Sequence, residues 1–341
     1  MTRKLVALLA VAALAGCTNP AAVPPLTQPS LRVHLAAVNN IPPRLQWNAN
    51  FGYCGETSLI SAGLYYGQYA SQYTVRSIAS NGAPQYLQRS QLLLGVNDVR
   101  AATRMHLNSI EFDTAKESST AQFLTWVRSN VTLGRPVAIG VYTNEFRFYG
   151  KTNPKAGDPQ YDHIVPVIGV SASTLTFSDN GLWSPSWPPR YEFTYDFNSF
   201  PKTRAQANRQ GGAIYSLDGG GTNFGIAIAG VTDPQRETLP VRVATDVNYE
   251  RPAMVNGSTA RPRPMPLILT VVVSGLRPGV AYELYRYNRF DAIPDARFNA
   301  NAKRAFERWN ISIRSGSIYV LTERIMSDQI AAYRAVPAAA P

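Results

Sequence analysis

At 341 residues the chain is long enough for more than one folded unit, and 45% hydrophobic against 16% charged residues exclude a disordered chain. The net charge of +11, two of it from Arg3 and Lys4, suits an anionic lipid or cell-wall surface. No lysine-arginine block carries interleaved aromatics, so nucleic acid is not an expected partner, and beyond the first apolar run nothing approaches the ~20 residues of a membrane helix.

That first run is Leu5–Ala15, behind the basic Arg3 and Lys4. It is too short to span as a mature helix and has the anatomy of a secretory signal. It ends in Leu14-Ala15-Gly16-Cys17, which resembles the lipobox of bacterial lipoproteins. The resemblance implies that Cys17 receives diacylglycerol and becomes the first residue of the mature chain. It implies an envelope address, and Thr18, where an aspartate would favour the inner membrane, implies the outer membrane facing the periplasm.

Residues 18–43, rich in Pro, Ala and Asn, read as a tether that contains His34. Leu59, Ala62 and Tyr66 then recur at helical spacing and predict a helix that Cys54 opens and Gly67 stops. Residues 85–94 and 98–106 predict further short helices, the second capped by Asp98. A fourth follows Thr120 and ends near Gly134. The pattern changes at 135–142, 163–170 and 174–179, which predict strands, the last two joined as a hairpin by Ser171-Ala172-Ser173. Between the first two lies a polar tract, 143–162, of the long-loop kind that often carries function. Residues 213–217 and 224–230 continue the strands. Helices first and antiparallel strands second give an α+β domain over 44–230.

From 231 to 335 short alternating segments with Pro/Gly turns predict a separate β-sandwich-like domain. Within it "SGLRPGVAYELYRY" resembles the late-strand signature of fibronectin-type modules. Residues 301–312 predict a short helix, and the tail from Ala335 is expected to be loose.

The chain holds two cysteines and three histidines. With Cys17 assigned to lipid, Cys54 is a lone thiol in an oxidising compartment, either a buried core residue or a working one. A cysteine nucleophile needs its thiolate, which a helix N-terminus favours, and a nearby base, usually histidine. It also needs something to orient that base, and donors for the oxyanion of acyl transfer. His34 lies in the tether and His106 near a helix end. His163 opens a strand, where a histidine is either structural or this base. Asp179 follows it by sixteen residues across the hairpin, where it can hold the imidazole; Asn180 is the alternative orienter.

Gln46 ahead of Cys54-Gly55, then the 134–142 segment, then His163 and Asp179, together resemble the papain-like cysteine peptidase superfamily over about residues 44–230. The bacteriocin-leader peptidase branch is the nearest pattern. The resemblance implies a papain-like helical lobe packed on an antiparallel sheet. It also implies a Cys54–His163–Asp179 triad, with Gln46 as oxyanion donor and neither cofactor nor metal. Asn48 stands at the family's usual six-residue spacing before the cysteine, so it is the alternative donor. Glu56 replaces the family's Pro or Ser. It can perturb the thiol, recognise a cationic substrate group or cap the helix. The implied activity is a lipid-anchored cysteine hydrolase acting on a peptide or cell-wall amide, with acyl transfer as a variant. The alternative is an inactive papain-like scaffold that serves as an envelope binding or adhesion lipoprotein.

Overall fold

Cys54 does open a helix, and that helix is buried almost to its end. The computed structural model describes residues 37–47, 49–113, 116, 119–141, 161, 163–181, 192–196, 223–250, 261 and 263–339. In chain order come β1 (Ala37–Val38), α1 (Cys54–Tyr65), β2 (Gln68–Tyr69), α2 (Gln72–Ser80), α3 (Asp98–Arg104), β3 (Leu107–Glu111) and α4 (Thr120–Thr132). Then follow β4 (Val137–Val141), β5 (His163–Val170), β6 (Thr174–Ser178), β7 (Glu192–Asp196) and β8 (Gly225–Val231). The architecture is mixed helix and antiparallel sheet, the α+β class the sequence predicts.

The first sheet runs β3-β8-β4-β5-β6-β7, with β1 added against β5. Every residue of β5 is buried, which its unbroken apolar run after His163 requires. Phe123, Val127 and Val131 of α4 pack with Val137, Ile139, Val165 and Val167 of the sheet. Ala138, Ile164 and Ile226, out of phase with those residues, join Leu59, Ile60 and Leu64 of α1 in the larger core. Buried from Gly55 to Leu64, α1 is an interior helix.

Several boundaries move. The tether is shorter than expected, because Ala37 and Val38 pair with Val170 and Gly169 and Ile41 is buried. Residues 85–94 hold only a single tight turn at Gln88–Ser90. Helix α3 starts at Asp98 behind Asn97, so Asp98 is its first residue rather than its cap. No helix was expected at α2, yet Ser71 caps it, its side chain accepting from Thr74 N–H, and Asn81 ends it in a left-handed conformation. The 213–217 segment and most of the 143–162 tract lie outside the described residues.

Beyond 231 the chain adds β9 (Val241–Thr245), β10 (Pro266–Ser274), β11 (Ala281–Tyr287), β12 (Glu307–Ser312), β13 (Ile318–Met326) and β14 (Ala331–Pro337). They form a three-stranded sheet, β13-β10-β9, and a four-stranded one, β12-β11-β14-β2. The expected helix at 301–312 is a tight turn at Ala302–Arg304 followed by β12. The expected loose tail is β14 as far as Pro337, which pairs with Tyr282.

The boundary at 231 is a change of architecture, not a gap in packing. Strand β2, from the helical part, pairs with β14 through Tyr69↔Ala331 and Gln68↔Ala332. Leu269 and Val271 of β10 and Leu284 of β11 belong to the same core as α1. The described residues on both sides of 231 fall in one compact unit, so the expected separate second domain is corrected to an integral β-layer.

Candidate active site

Helix α1 begins at Cys54, and no side chain caps it; Tyr53 stands at the cap position. The first N–H groups of a helix have no intrahelical acceptor, so this end favours an anion. The turn ahead of it is unusual. Asn50, Phe51 and Gly52 all take positive φ, 49°, 70° and 82°, and non-glycine residues adopt that region at a cost. Gly55 follows because the helix start presses on Leu92: a Cβ here would collide with the Leu92 carbonyl oxygen. Cys54 is a free thiol, half-buried.

His163 is buried at the start of β5, and Asp179 is buried just past the end of β6. The hairpin brings them together, with His163 Nε2 3.2 Å from Asp179 Oδ1. The same oxygen accepts the Gly181 N–H at 2.6 Å, which fixes the carboxylate. Burial works against a charged imidazole. The Asp179 carboxylate bonded to the ring and the Cys54 sulfur near it act the other way, and together they raise the His163 pKa from 6.5 to about 10. Cys54, His163 and Asp179 are therefore brought together.

Gln46 is buried beside the helix start. Its Oε1 accepts the Tyr53 N–H at 2.6 Å, immediately before Cys54. That leaves Nε2 as a buried donor with no hydrogen-bond partner among the described residues. Such a donor is costly unless something else uses it. Asn48, the alternative donor, lies outside the described residues, as do Cys17 and His34.

Asn180 is not the orienter. Its Nδ2 lies 3.0 Å from Cys54 O, 3.0 Å from Ser58 Oγ and 3.1 Å from Ile164 O. Its backbone carbonyl accepts the Gln46 N–H at 2.7 Å. Asn180 thus ties the first turn of α1, the start of β5 and the Gln46 segment to one point.

Glu56 neither caps the helix nor faces outward to a cationic substrate group. It is buried, and its Oε1 accepts from Arg76 Nε at 2.6 Å and from Leu92 N–H at 2.9 Å. Arg76, fully buried on α2, also donates to Asn50 O at 2.6 Å and to Gly52 O. Its guanidinium lies 3.6 Å from the centre of the Tyr53 ring. The pair clamps the left-handed turn ahead of Cys54. Sequence reasoning missed Arg76; an arginine between Val75 and Ala79, both buried in α2, was the available signal. His106, at the other end of α3, faces Asp295 at 3.3 Å and takes no part in this constellation.

No group of His, Cys, Asp and Glu among the described residues could hold a metal ion, and no helix among them is long and apolar enough to cross a membrane. No family model matches the chain, and comparison with curated proteins and solved structures found no match.

Proposed function

We propose that the chain is a papain-like cysteine hydrolase of the bacterial envelope, acting on a peptide or cell-wall amide. The observation that carries this is the imidazole of His163, bonded at Nε2 by Asp179, with Cys54 beside it: the Asn180 Nδ2 reaches both Cys54 O at 3.0 Å and Ile164 O at 3.1 Å. An imidazolium beside a helix N-terminus is the setting in which a cysteine reacts as thiolate.

In this scheme the Cys54 thiolate attacks the substrate carbonyl. The oxyanion takes hydrogen bonds from Gln46 Nε2 and from N–H groups at the start of α1. As the tetrahedral adduct collapses, the imidazolium of His163 passes its proton to the leaving amine and a Cys54 thioester remains. Water, deprotonated by the now neutral imidazole, then attacks the thioester and releases the acid. An amine in place of water gives acyl transfer by the same steps. Asp179 holds the ring and stabilises its charge.

The test uses p-nitrophenyl acetate. The wild type is expected to release one equivalent of p-nitrophenolate in a burst and to carry an acetyl group on Cys54 by mass spectrometry. Cys54→Ala and His163→Ala should release none above buffer. No burst from the wild type would leave the inactive envelope scaffold as the better account. A peptide and muropeptide library then identifies the natural bond. Anchoring is a second part of the proposal, motivated by the Leu14–Cys17 box. Labelled palmitate should enter the wild type and not Cys17→Ser, and equal labelling would refute it.

A further inference from the structure

We propose that Gln72 is a positioning residue for the oxyanion donor Gln46, anchored in turn by Glu250; this rests on the hydrolase reading above. Gln72 is the first residue of α2 and is buried. Its Oε1 accepts the Trp47 N–H at 2.7 Å, and its Nε2 donates to the Leu45 carbonyl at 3.0 Å. Those peptide groups stand on either side of residue 46. One side-chain amide therefore grips Gln46 as a neighbouring strand grips a strand residue, with one donor and one acceptor.

The remaining groups of Gln46 are held independently. Its N–H goes to Asn180 O at 2.7 Å and its Oε1 to Tyr53 N–H. With both flanking peptides, the backbone N–H and the side-chain carbonyl fixed, the amide cannot turn, and Nε2 stays committed to one place. Preorganised donors of this kind stabilise a transition state because they need not reorient when charge develops.

A buried glutamine in a helix's first turn can satisfy itself on any nearby backbone. Two features set Gln72 apart. Its bonds straddle the one residue, among the described residues, whose side-chain amide nitrogen is buried and unpartnered. Its own N–H is bonded by both carboxylate oxygens of Glu250, at 2.9 and 3.1 Å. Glu250 faces Arg44 Nη2 at 3.8 Å, and Leu45 N–H donates to Asn248 O at 2.7 Å. The Gln46 segment and the residue that grips it are therefore fastened to the same turn after β9, in the C-terminal β-layer. That layer reaches the Gln46 segment through Gln72 and through Asn248.

The test separates a step that forms an oxyanion from one that does not. Acetylation of Cys54 by p-nitrophenyl acetate passes through a tetrahedral oxyanion. Alkylation by iodoacetamide displaces iodide from carbon and forms none. On the full-length protein, Gln46→Met is expected to slow acetylation about a hundredfold. Gln72→Met, of similar volume and without hydrogen bonds, should slow it about tenfold to a hundredfold. Both should leave alkylation within about twofold of wild type, since the nucleophile and its base are unchanged. Gln72→Glu keeps the acceptor for Trp47 N–H and should fall between wild type and Gln72→Met; it carries the comparison if Gln72→Met does not fold. The double variant should be no slower than Gln46→Met alone, because Gln72 acts through Gln46. A folded Gln72 variant with the wild-type ratio of the two rates, or with both rates reduced together, overturns the proposal and leaves the hydrolase reading standing. A wild type that is alkylated but never acetylated overturns the hydrolase reading, and this proposal with it.

Discussion

His163 is the residue on which the pH behaviour of the site turns. Its pKa is raised from 6.5 to about 10 against the opposition of burial, so the ring is charged at neutral pH. A group with a raised folded pKa contributes stability that is fully present below the unfolded value. That contribution is lost as pH rises through the folded value. Wild type is therefore expected to be more resistant to urea than Asp179→Asn at pH 6, where the carboxylate supports the charged ring. The advantage should shrink between pH 6.5 and about 10 and be gone above it. The acetylation burst should decline over the upper end of the same range, because a neutral ring no longer pairs with the thiolate. A stability difference that does not change with pH would show that Asp179 does not hold a charged imidazole.

At the scale of elements, α1 and α2 divide the work. Helix α1 presents Cys54, and α2 shapes the turn before it with Gln72 and Arg76, four residues apart on one face. The Glu56–Arg76 pair is buried on both sides, with side chains at 1% and 0% exposure, so neither charge has water to fall back on. Glu56→Gln should destabilise the protein by about 3–5 kcal/mol in urea titration, since it leaves a buried guanidinium without its carboxylate. A loss under about 1 kcal/mol, the range of an exposed pair, would refute the clamp. The same burial explains why α2 escaped the sequence reading. Gln72 and Arg76 occupy core positions, so the apolar period is broken where polar side chains face inward, although Ser71 and Asn81 mark both ends. At 301–312 the error ran the other way. Good helix formers precede Trp309 and Ile311, but pairing of Leu284 with Trp309 and Tyr282 with Ile311 on β11 overrides local propensity.

At the scale of the whole molecule, the C-terminal β-layer is part of the fold that carries the site. It supplies β14 to β2, Leu269 and Leu284 to the core beneath α1, and Glu250 to the start of α2. A fragment ending at residue 230 would expose that core and leave β2 without its neighbour. It is expected to be insoluble or to melt without a cooperative transition by circular dichroism. A soluble 1–230 fragment with a sharp melt would restore the separable two-domain arrangement.

Cys54, His163 and Asp179 could be singled out from the sequence as neighbours, because local signals place them. Cys54 precedes an apolar helical run, and the Ser171–Ser173 turn sets His163 and Asp179 at the ends of adjacent strands. Gln46 was legible as a residue type. Its expected role came from the family resemblance, and the unpartnered Nε2 behind it follows only from the bond that Tyr53 makes to the other end of the amide. Glu56 and Asn180 were legible as polar residues near the site and misread in purpose, since what a buried polar side chain does depends on partners far along the chain. Arg76 lies twenty residues from Glu56, and Ile164 lies sixteen from Asn180. Hydrophobic period, turn chemistry and capping are local, so the sequence alone determined most elements and pointed to the three side chains that meet at the candidate site. The pairing of buried polar groups and the fusion of the two halves through β2 and β14 are long-range, so only the tertiary structure decided them.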